Sequence, residues 1–382
     1  GQATLAVTSG RVPGDYHGFV NPPVYHGSTI LFATAQAYRK QDAPYTYGRS
    51  GGPTHTALET AVAALEGGYR TRLAPSGKAA VFLAMLGFLK CGDHVLVADT
   101  VYRPTRMIAD TLLARIGVET TYFNPRLGAQ IAALMRPNTA VVFAESPGSQ
   151  TFEVMDMPAI SAAAHDHGAL VMFDNTWASP LYFKPFEHGV DISIQAGTKY
   201  IGGHSDLMLG TVTTTQDCWQ RLDAAYLDTG TSVGPDDVYL AQRGLRTIEV
   251  RLARQMQSGI AIAGWLENRP EVAQVLYPAL ESHRDHALWQ RDFLGASSLF
   301  SIVLKPIGEP AVDAFLDTLK LFGMGDSWGG YESLVVPFNP RRYRSATTWD
   351  APGPALRFHI GLETAEDLQD DLARGFAAMT AA

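Results

Sequence analysis

The sequence predicts an α/β protein with a mainly parallel sheet, followed by a smaller α+β domain. From about residue 55, short apolar runs alternate with segments of helical spacing, which is the pattern of strands and helices in a parallel sheet. After Asp236 this alternation gives way to one long helical segment and to strand-like runs that surround further helices. A length of 382 residues also exceeds what one hydrophobic core usually organises, so we expect two or three domains.

These patterns divide the chain into three parts. Residues 1–52 are punctuated by Gly, Pro, Ser and Tyr and contain no long periodic helix. We therefore expect an arm that packs on another surface, such as a neighbouring subunit. Residues 53–245 form the predicted α/β domain, and residues 246–382 form the predicted C-terminal α+β domain.

Each predicted element follows from its spacing of apolar residues. The predicted strands of the α/β domain are 94–98, 118–123, 140–144, 169–173, 192–196 and 208–213, and its predicted helices are 54–65, 79–88, 105–116, 129–135 and 157–164. In the second domain we predict a long helix over 238–266, strands at 272–276, 299–304 and 356–360, and helices at 311–319 and 364–379. Ligands gather at the carboxyl ends of parallel strands, where Asp174 and Lys199 fall.

The composition narrows the class of protein. Hydrophobic residues make up 46% and charged residues 18%, as in an ordinary soluble protein, and the net charge of −8 argues against nucleic acid or an anionic membrane as the main partner. Two cysteines, Cys91 and Cys218, are too few for a disulfide framework and fit a reducing compartment. No stretch has the apolar length to span a bilayer, and no secretory pattern is recognisable, so we expect a cytoplasmic protein.

Thr198 and Lys199 come just after a predicted buried strand. Burial disfavours the charge of a lysine and lowers its pKa, which allows its amine to attack an aldehyde. Asp174 follows another predicted strand, and a fixed carboxylate there would keep the ring nitrogen of pyridoxal protonated. The alternatives are a lysine that reaches out to solvent and an aspartate that caps a helix or binds metal. Together the two residues favour pyridoxal 5'-phosphate (PLP) held as a Schiff base on Lys199.

A phosphate needs hydrogen-bond donors, and two segments offer them. Ser76, Gly77 and Lys78 lie just before a predicted helix, where free backbone N–H groups and the helix dipole attract an anion. The alternative is a plain capped turn. Tyr47 and Arg49 of the arm offer a hydroxyl and a guanidinium, although they equally fit a polar surface.

Two more residues fit a site for an amino acid. Tyr102 follows a predicted strand and could stack on a cofactor ring, or simply pack in the core. Arg357 lies in a predicted strand and offers the planar donor pair that a carboxylate accepts, or else forms a structural ion pair. The His-containing segments 165–167 and 204–206 lack the second set of ligands that a metal site needs, so we predict no metal.

Several segments resemble the Cys/Met-metabolism PLP enzymes of fold type I, whose fold is that of aspartate aminotransferase. The resemblance extends from about Pro22 to the C-terminus, which is nearly the whole chain. The matching segments are Tyr47-Gly48-Arg49, Ser76-Gly77, Asp174-Asn175-Thr176-Trp177, the run from Thr198 to Asp206, and the run from Gln242 to Thr247. The resemblance implies PLP as the cofactor and a tetramer built from two catalytic dimers.

A few positions are similar to the β-eliminating branch of this family. Ser149 stands where relatives that act at the γ-carbon usually carry Asn, Trp328 where they often carry Leu, and Ala196 where many members have a phosphate-binding Ser. Two positions depart from the pattern. Asp326 stands where β-lyases carry Tyr and γ-acting members often carry Glu, and Lys78 replaces a small or apolar residue.

The resemblance also implies a role for each site residue. Lys199 carries the cofactor and acts as the base, Asp174 pairs with the ring nitrogen, and Tyr102 stacks on the ring and can supply a proton. The backbone of Gly77 and Lys78 holds the phosphate together with Thr198, while Tyr47 and Arg49 reach it from a neighbouring subunit. The residues expected at the substrate are Arg357 and Ser327 at its α-carboxylate, Trp328 at the border of that site, and Tyr47.

The implied reaction is an α,β-elimination in sulfur amino acid metabolism and methionine biosynthesis. L-cystathionine or a related S-substituted cysteine would give a thiol, pyruvate and ammonia. One alternative is a γ-acting relative, such as a methionine γ-lyase, a cystathionine γ-lyase or synthase, or a sulfhydrylase. The other is a non-catalytic regulatory protein that keeps the fold.

Overall fold

The chain folds around two β-sheets, in a computed structural model that describes residues 1–381. The strands of the large sheet are β1 (Arg70–Ala74), β2 (His94–Ala98), β3 (Glu119–Phe123), β4 (Thr139–Glu145), β5 (Leu170–Asp174), β6 (Ile192–Gln195) and β7 (Gly210–Thr214). The strands of the small sheet are β8 (Val272–Leu276), β9 (Leu299–Leu304), β10 (Leu334–Phe338) and β11 (Ala355–His359).

The large sheet has the order β1-β7-β6-β5-β4-β2-β3. Strands β2 to β6 run parallel, whereas β7 is antiparallel to both of its neighbours, β6 and β1. The small sheet, in the order β10-β11-β9-β8, is antiparallel throughout. The predicted fold class, an α/β domain with a mainly parallel sheet and a smaller α+β part, is confirmed.

Helices cover both sheets. The α-helices are α1 (Gln2–Thr8), α2 (Ala35–Lys40), α3 (Pro53–Glu66), α4 (Gly77–Phe88), α5 (Arg103–Met107), α6 (Met157–Asp166), α7 (Ser179–Tyr182), α8 (Gln216–Thr229), α9 (Pro235–Leu245), α10 (Ile248–Glu267), α11 (His286–Asp292), α12 (Glu309–Thr318) and α13 (Ala365–Ala381). A π-helical turn, Ile108–Leu113, continues α5, and short 3-10 helices lie at Pro13–Tyr16, Gly48–Ser50, Pro125–Leu134, Pro185–His188 and Pro340–Arg342. No helix within residues 1–381 is long and apolar enough to cross a membrane.

Two predicted helices differ in the structure. The long helix predicted over 238–266 is divided into α9 and α10, because the Gly244 carbonyl accepts hydrogen bonds from Thr247 and from the Arg251 guanidinium instead of continuing the helical ladder. The helix predicted at 129–135 is part of the 3-10 segment Pro125–Leu134. A positive φ of 52° at Gly128 bends that segment.

Strands β1 and β10 and helix α8 were not predicted from the sequence. Strand β1 carries Arg72, whose guanidinium stacks on Trp219 and Tyr226 of α8 and bonds to the Asp223 carboxylate. The Arg72 side chain and helix α8 shield each other from solvent. For this reason neither segment needs, or shows, the usual width of apolar residues along one face. Strand β10 contains Pro337 and pairs only with β11, as expected for an edge strand.

The buried apolar residues form two clusters. The larger one includes side chains of both sheets, such as Phe173 and Phe300. The smaller one joins α3 to α9 and α10, with Leu58 and Leu245 among its members. Because the larger cluster is shared, the domain bounds at residues 52 and 245 stay predictions.

The segment predicted to be an arm contains α1, α2 and two short 3-10 helices. Its first helix is tied to the rest of the chain, since the Arg246 guanidinium donates to the carbonyls of Ala6 and Ser9 at 2.8 and 2.9 Å. Farther along, Phe19 and Leu31 are large apolar side chains that are exposed in the single chain.

Candidate active site

The carboxyl ends of the parallel strands carry the candidate site. Asp174 is the last residue of β5 and pairs in register with Glu145, the last residue of β4. Tyr102 follows β2, and Ala196 follows β6. The parallel order of β2, β4, β5 and β6 brings these residues to one edge of the sheet, where ligands of such folds bind.

Lys199 lies in a turn after β6 and points into this edge. Its amide donates to the Ala196 carbonyl at 3.0 Å, and its own carbonyl accepts from Gly203 at 2.7 Å. The Lys199 Nζ donates to the Ser327 hydroxyl and lies 5.3 Å from the centre of the Trp328 ring. Burial, together with the charge of Arg357, lowers the pKa of Lys199 to about 8, although Asp174 and Asp326 oppose the shift. A larger fraction of the amine is therefore neutral near pH 7 than for an exposed lysine.

Asp174 is a buried carboxylate, and only one of its two oxygens accepts hydrogen bonds from residues 1–381. Its Oδ1 accepts the Thr176 amide at 3.0 Å and the Thr176 hydroxyl at 2.5 Å. Its Oδ2 accepts no hydrogen bond from residues 1–381. Burial raises the pKa of Asp174, whereas the bonds from Thr176 and the charge of Lys199 lower it. The free oxygen fits a protonated ring nitrogen, which would restore the charged form of the carboxylate.

A chain of short contacts connects Asp174 with the turn at Gly77. The Thr176 hydroxyl accepts the Ala196 amide at 2.8 Å, and Ala196 in turn lies against Gly77. A Cβ at Gly77 would lie 2.6 Å from the Ala196 Cβ, so only glycine allows this approach.

The turn at Gly77 offers free donors. The Ser76 side chain caps α4 by accepting the Ala79 amide at 3.1 Å. The amides of Gly77 and Lys78, in the first turn of α4, donate to no acceptor within residues 1–381. Two free N–H groups at a helix N-terminus fit a phosphate. The Lys78 side chain itself is exposed.

The Thr198 hydroxyl is less available to a phosphate than the amides of Gly77 and Lys78. Its hydroxyl donates to the Leu209 carbonyl at 3.2 Å and accepts the Leu209 amide at 2.9 Å. The hydroxyl proton would have to leave the Leu209 carbonyl to reach a phosphate oxygen. Its predicted role stays a prediction.

Tyr102 is held at the edge of the site by Glu145, a residue for which the sequence predicted no role. The Tyr102 amide donates to Glu145 Oε2 at 2.5 Å, and the Tyr102 side chain is 48% exposed. Burial, and then the neighbouring charge of Asp174, raise the pKa of Glu145 well above its ordinary value. Glu145 could have been identified from the sequence, because it is an acidic residue directly after an apolar strand, as Asp174 is.

Arg357, in the middle of β11, is a half-buried cation on the other side of Lys199. One nitrogen donates to the Ser327 carbonyl at 3.0 Å, and its Nε is buried without an acceptor. Burial lowers the pKa of Arg357, which the charge of Asp326 opposes. No carboxylate lies within ion-pair distance in the described part of the chain, so the guanidinium fits the carboxylate of a ligand.

The segment from Ser327 to Gly329 is pressed against Lys199. Ser327 has a φ of 85°, which is rare for a residue with a side chain. Gly329 has a φ of 92°, and a Cβ there would lie 2.9 Å from the Lys199 Cα. This backbone brings the Ser327 hydroxyl to Lys199 and its carbonyl to Arg357.

Tyr47 and Arg49 lie elsewhere in the single chain. One Arg49 nitrogen donates to the Leu227 carbonyl, at 3.2 Å. Both residues line a cavity of about 620 Å³ with His55 and Ser232. Among residues 1–381, no hydrogen bond or ion pair connects either of them with Lys199, Asp174 or Arg357.

The cluster as a whole fits PLP. An amine with a lowered pKa, a buried carboxylate with a free oxygen and two free amides suit its aldehyde, its ring nitrogen and its phosphate. The unpaired Arg357 suits the α-carboxylate of an amino acid.

Comparison with known proteins gives a consistent result. A family model described as Cys/Met metabolism PLP-dependent enzyme matches residues 3–377. A protein of Rhizobium johnstonii named "Putative cystathionine beta-lyase" is 53% identical over 97% of this chain and 95% of its own length. The cystathionine beta-lyase of Salmonella typhimurium is 44% identical over 98% of each chain. The crystal structure of metB from Corynebacterium glutamicum superposes with a TM-score of 0.92 and 32% identity, covering 99% of this chain and 98% of its own.

Proposed function

The chain belongs to the Cys/Met metabolism PLP-dependent enzyme family, and on this premise we propose that it is a carbon–sulfur lyase acting by α,β-elimination. Its substrate is L-cystathionine or a related S-substituted cysteine, and its products are a thiol, pyruvate and ammonia. The names of the similar enzymes support this substrate class. The observation that carries the proposal is Ser327, which contacts Lys199 through its hydroxyl and Arg357 through its carbonyl.

The residues that would hold the cofactor follow from the site. When bound, PLP withdraws electrons from the α-carbon of the substrate. Lys199 attaches the cofactor, Asp174 holds its ring nitrogen, and Tyr102 covers one face of the ring. The amides of Gly77 and Lys78 hold the phosphate.

The remaining residues bind the substrate and move protons. Arg357, with Ser327, binds the α-carboxylate and thereby fixes the α-carbon beside Lys199. The neutral Lys199 amine removes the α-proton, for which a pKa of about 8 is suited. As the carbon–sulfur bond breaks, the sulfur leaves as a thiol with a proton from Lys199 or from the Tyr102 phenol. Hydrolysis of the remaining fragment gives pyruvate and ammonia.

The proposal includes a tetramer of two catalytic dimers, in which Tyr47 and Arg49 complete the site of a neighbouring subunit. Two observations support it. Both residues lie apart from Lys199 in the single chain, and the exposed Phe19 and Leu31 suit contact with another subunit. A cytoplasmic location is part of the same proposal, and the unpaired thiols of Cys91 and Cys218 support it.

The α-keto acid released from L-cystathionine tests the proposal. We expect the PLP-loaded protein to form pyruvate with an equal amount of homocysteine, as chromatographic separation and mass spectrometry of the α-keto acid and the thiol would show. A γ-acting enzyme would instead release 2-oxobutyrate and cysteine, and a regulatory protein would release neither. The Lys199→Ala variant, loaded in the same way, is the control and should be inactive.

A further inference from the structure

His359 is a fully buried histidine beside the active site that the proposed β-elimination does not use. It lies in β11, two residues after Arg357, so the two side chains extend from the same face of that strand. Burial lowers the pKa of His359 to about 4, and the ring is therefore neutral near pH 7.

The hydrogen bonds around the ring determine which of its nitrogens carries the proton. The Ser298 hydroxyl donates its only proton to the Ile360 carbonyl at 2.6 Å, and its oxygen lies 3.3 Å from His359 Nδ1. Nδ1 must therefore be the donor in that contact. A neutral ring then has no proton on Nε2, and this nitrogen accepts the Gly329 amide at 3.2 Å.

The opposite tautomer leaves more groups without partners. With its proton on Nε2, the ring would donate to the Gly330 carbonyl, 3.2 Å away, which already accepts from the Gln255 side chain at 2.7 Å. The buried Gly329 amide and His359 Nδ1 would then both lose their hydrogen bonds. Because an unpaired buried polar group is costly, we expect the proton on Nδ1.

The Gly329 amide belongs to the turn that carries Ser327. Ser327 has a φ of 85°, a conformation that persists only where the surroundings hold it. The two side-chain bonds to Ser327 come from Lys199 and Arg357, and both of these residues exchange partners when cofactor and substrate bind. Among the side-chain hydrogen bonds to this turn within residues 1–381, only the one at His359 involves no reacting group.

The position of this turn affects both ends of the site. A Cβ at Gly329 would lie 2.9 Å from the Lys199 Cα, so the turn and the lysine backbone are in close contact. A displacement of Gly329 would move Ser327 away from Lys199 and from Arg357. Small shifts of this kind slow a reaction that depends on fixed geometry.

We propose that His359, as the tautomer protonated at Nδ1, is a positioning residue that holds the Ser327–Gly329 turn against Lys199 while cofactor and substrate bind. It acts through the turn and contacts neither of them. The kinetic consequence of this inference rests on the proposed β-elimination, whereas the bond between His359 and Gly329 can be measured without turnover.

Two amide substitutions separate the bond to Gly329 from the rest of the ring. A glutamine oxygen reaches the place of Nε2, whereas an asparagine oxygen reaches only the place of Nδ1. We expect His359→Asn to lower kcat/KM for L-cystathionine by about 30-fold, in part by raising KM, because Ser327 and Arg357 are displaced. His359→Gln should stay within about threefold of wild type. Pyruvate release per bound PLP measures these constants.

Amide hydrogen exchange measures the proposed bond directly. In the peptide that contains Gly329, His359→Asn should speed exchange by about tenfold or more, and His359→Gln should speed it less. Ser298→Ala is a second variant, which keeps His359 but removes the acceptor for Nδ1. It favours the other tautomer, so exchange at Gly329 should become faster here too.

His94→Asn is the matched control for the loss of a buried imidazole. His94 bonds to the hydroxyls of Thr139 and Thr121, at the opposite end of β2 from Tyr102. This variant should unfold at a lower temperature, while KM and the exchange at Gly329 stay at their wild-type values. Loss of folded protein alone lowers the apparent kcat and leaves KM unchanged.

Equal results for the two His359 variants, in kcat/KM or in exchange at Gly329, would overturn the inference, because an acceptor at Nε2 would then not be what holds the turn. Should His359→Asn fail to fold, unchanged exchange in Ser298→Ala would overturn it in the same way. If the wild-type enzyme forms no pyruvate from L-cystathionine, the proposed function fails, and exchange at Gly329 still decides whether His359 holds the turn.

Discussion

Lys199 and Arg357 are both half-buried cations of one site, and neither forms an ion pair within residues 1–381. The charge of Arg357 is one reason why the pKa of Lys199 is about 8, after burial itself. When a substrate carboxylate binds to Arg357, it offsets that charge, and the proton affinity of Lys199 rises. Substrate binding would therefore strengthen the base that the next step requires.

We expect binding of the substrate carboxylate to depend on the planar shape of the Arg357 guanidinium as well as on its charge. We predict that Arg357→Lys lowers kcat/KM for L-cystathionine by about 100-fold, because an ammonium group cannot bind a carboxylate through two parallel bonds. Steady-state kinetics of pyruvate release measures this. Arg374→Lys is the matched control, since Arg374 is half exposed and pairs with Asp371 on α13. Turnover of Arg357→Lys within twofold of wild type would disprove the carboxylate assignment.

Sequence patterns identified the residues whose chemical type is unusual for their position. Lys199, Asp174 and Arg357 are charged residues in or directly after apolar strands, and the structure brings Lys199 and Asp174 to one site with Arg357. The sequence could not show that Glu145 bonds to the Tyr102 amide, or that Leu209 already engages the Thr198 hydroxyl. Such partners depend on strand register and loop path, which residue types alone do not fix.

At the scale of elements, the N-terminus of α4 and the turn after β6 depend on each other. Gly77 allows α4 to approach Ala196 closely enough to leave its first amides beside the turn that carries Lys199. The cap by Ser76 and the bond from Thr176 to Asp174 hold the two sides in place. The same packing arrangement therefore positions both the amides proposed to bind the phosphate and the Asp174 carboxylate proposed to bind the ring nitrogen.

A methyl group at Gly77 should disturb this arrangement. We predict that Gly77→Ala weakens PLP binding by about tenfold or more, because its Cβ would lie 2.6 Å from that of Ala196 and would force the two segments apart. Titration of the apoprotein with PLP, followed by absorbance, gives the affinity. Gly264→Ala in α10 is the control, because a Cβ there meets nothing within 4 Å. Equal PLP affinities for the two variants would contradict the role of Gly77.

Elements were predictable where one face or both faces are apolar, and not where polar groups cover each other. The predicted bounds of β2 at 94–98, β8 at 272–276 and β9 at 299–304 agree with the structure. Strand β1 and helix α8 were missed because the half-buried Arg72 packs on Trp219 and Tyr226 by stacking rather than by apolar packing. The break between α9 and α10 was missed because side chains replace the helical bonds of the Gly244 carbonyl.

At the scale of the whole molecule, the two sheets together build the site. The large sheet supplies Asp174, Tyr102 and the turn with Lys199, whereas the small sheet supplies Arg357, and Ser327 precedes its strand β10. A shared apolar core holds the two sheets together. The cofactor side and the substrate side of the reaction thus come from different parts of the chain.

The same fold contains a buried lysine, Lys184, that serves as an internal comparison for Lys199. Burial lowers the pKa of Lys184 to about 8 as well. Its Nζ, however, donates to the carbonyls of Leu65 and Pro180 and to the Gln2 side chain. A lowered pKa alone therefore does not mark the cofactor lysine, and the position beside Asp174 and Arg357 is what distinguishes Lys199.

The central claim is that Lys199 attaches the cofactor, and reductive labelling tests it most directly. The PLP-loaded protein is treated with borohydride and digested, and the lysine that carries the pyridoxyl group is located by mass spectrometry. We predict that the group is found on Lys199, that Lys199→Ala carries none, and that Lys184→Arg is labelled like the wild type. A pyridoxyl group on Lys184 or Lys78, or one that persists in Lys199→Ala, would contradict the claim.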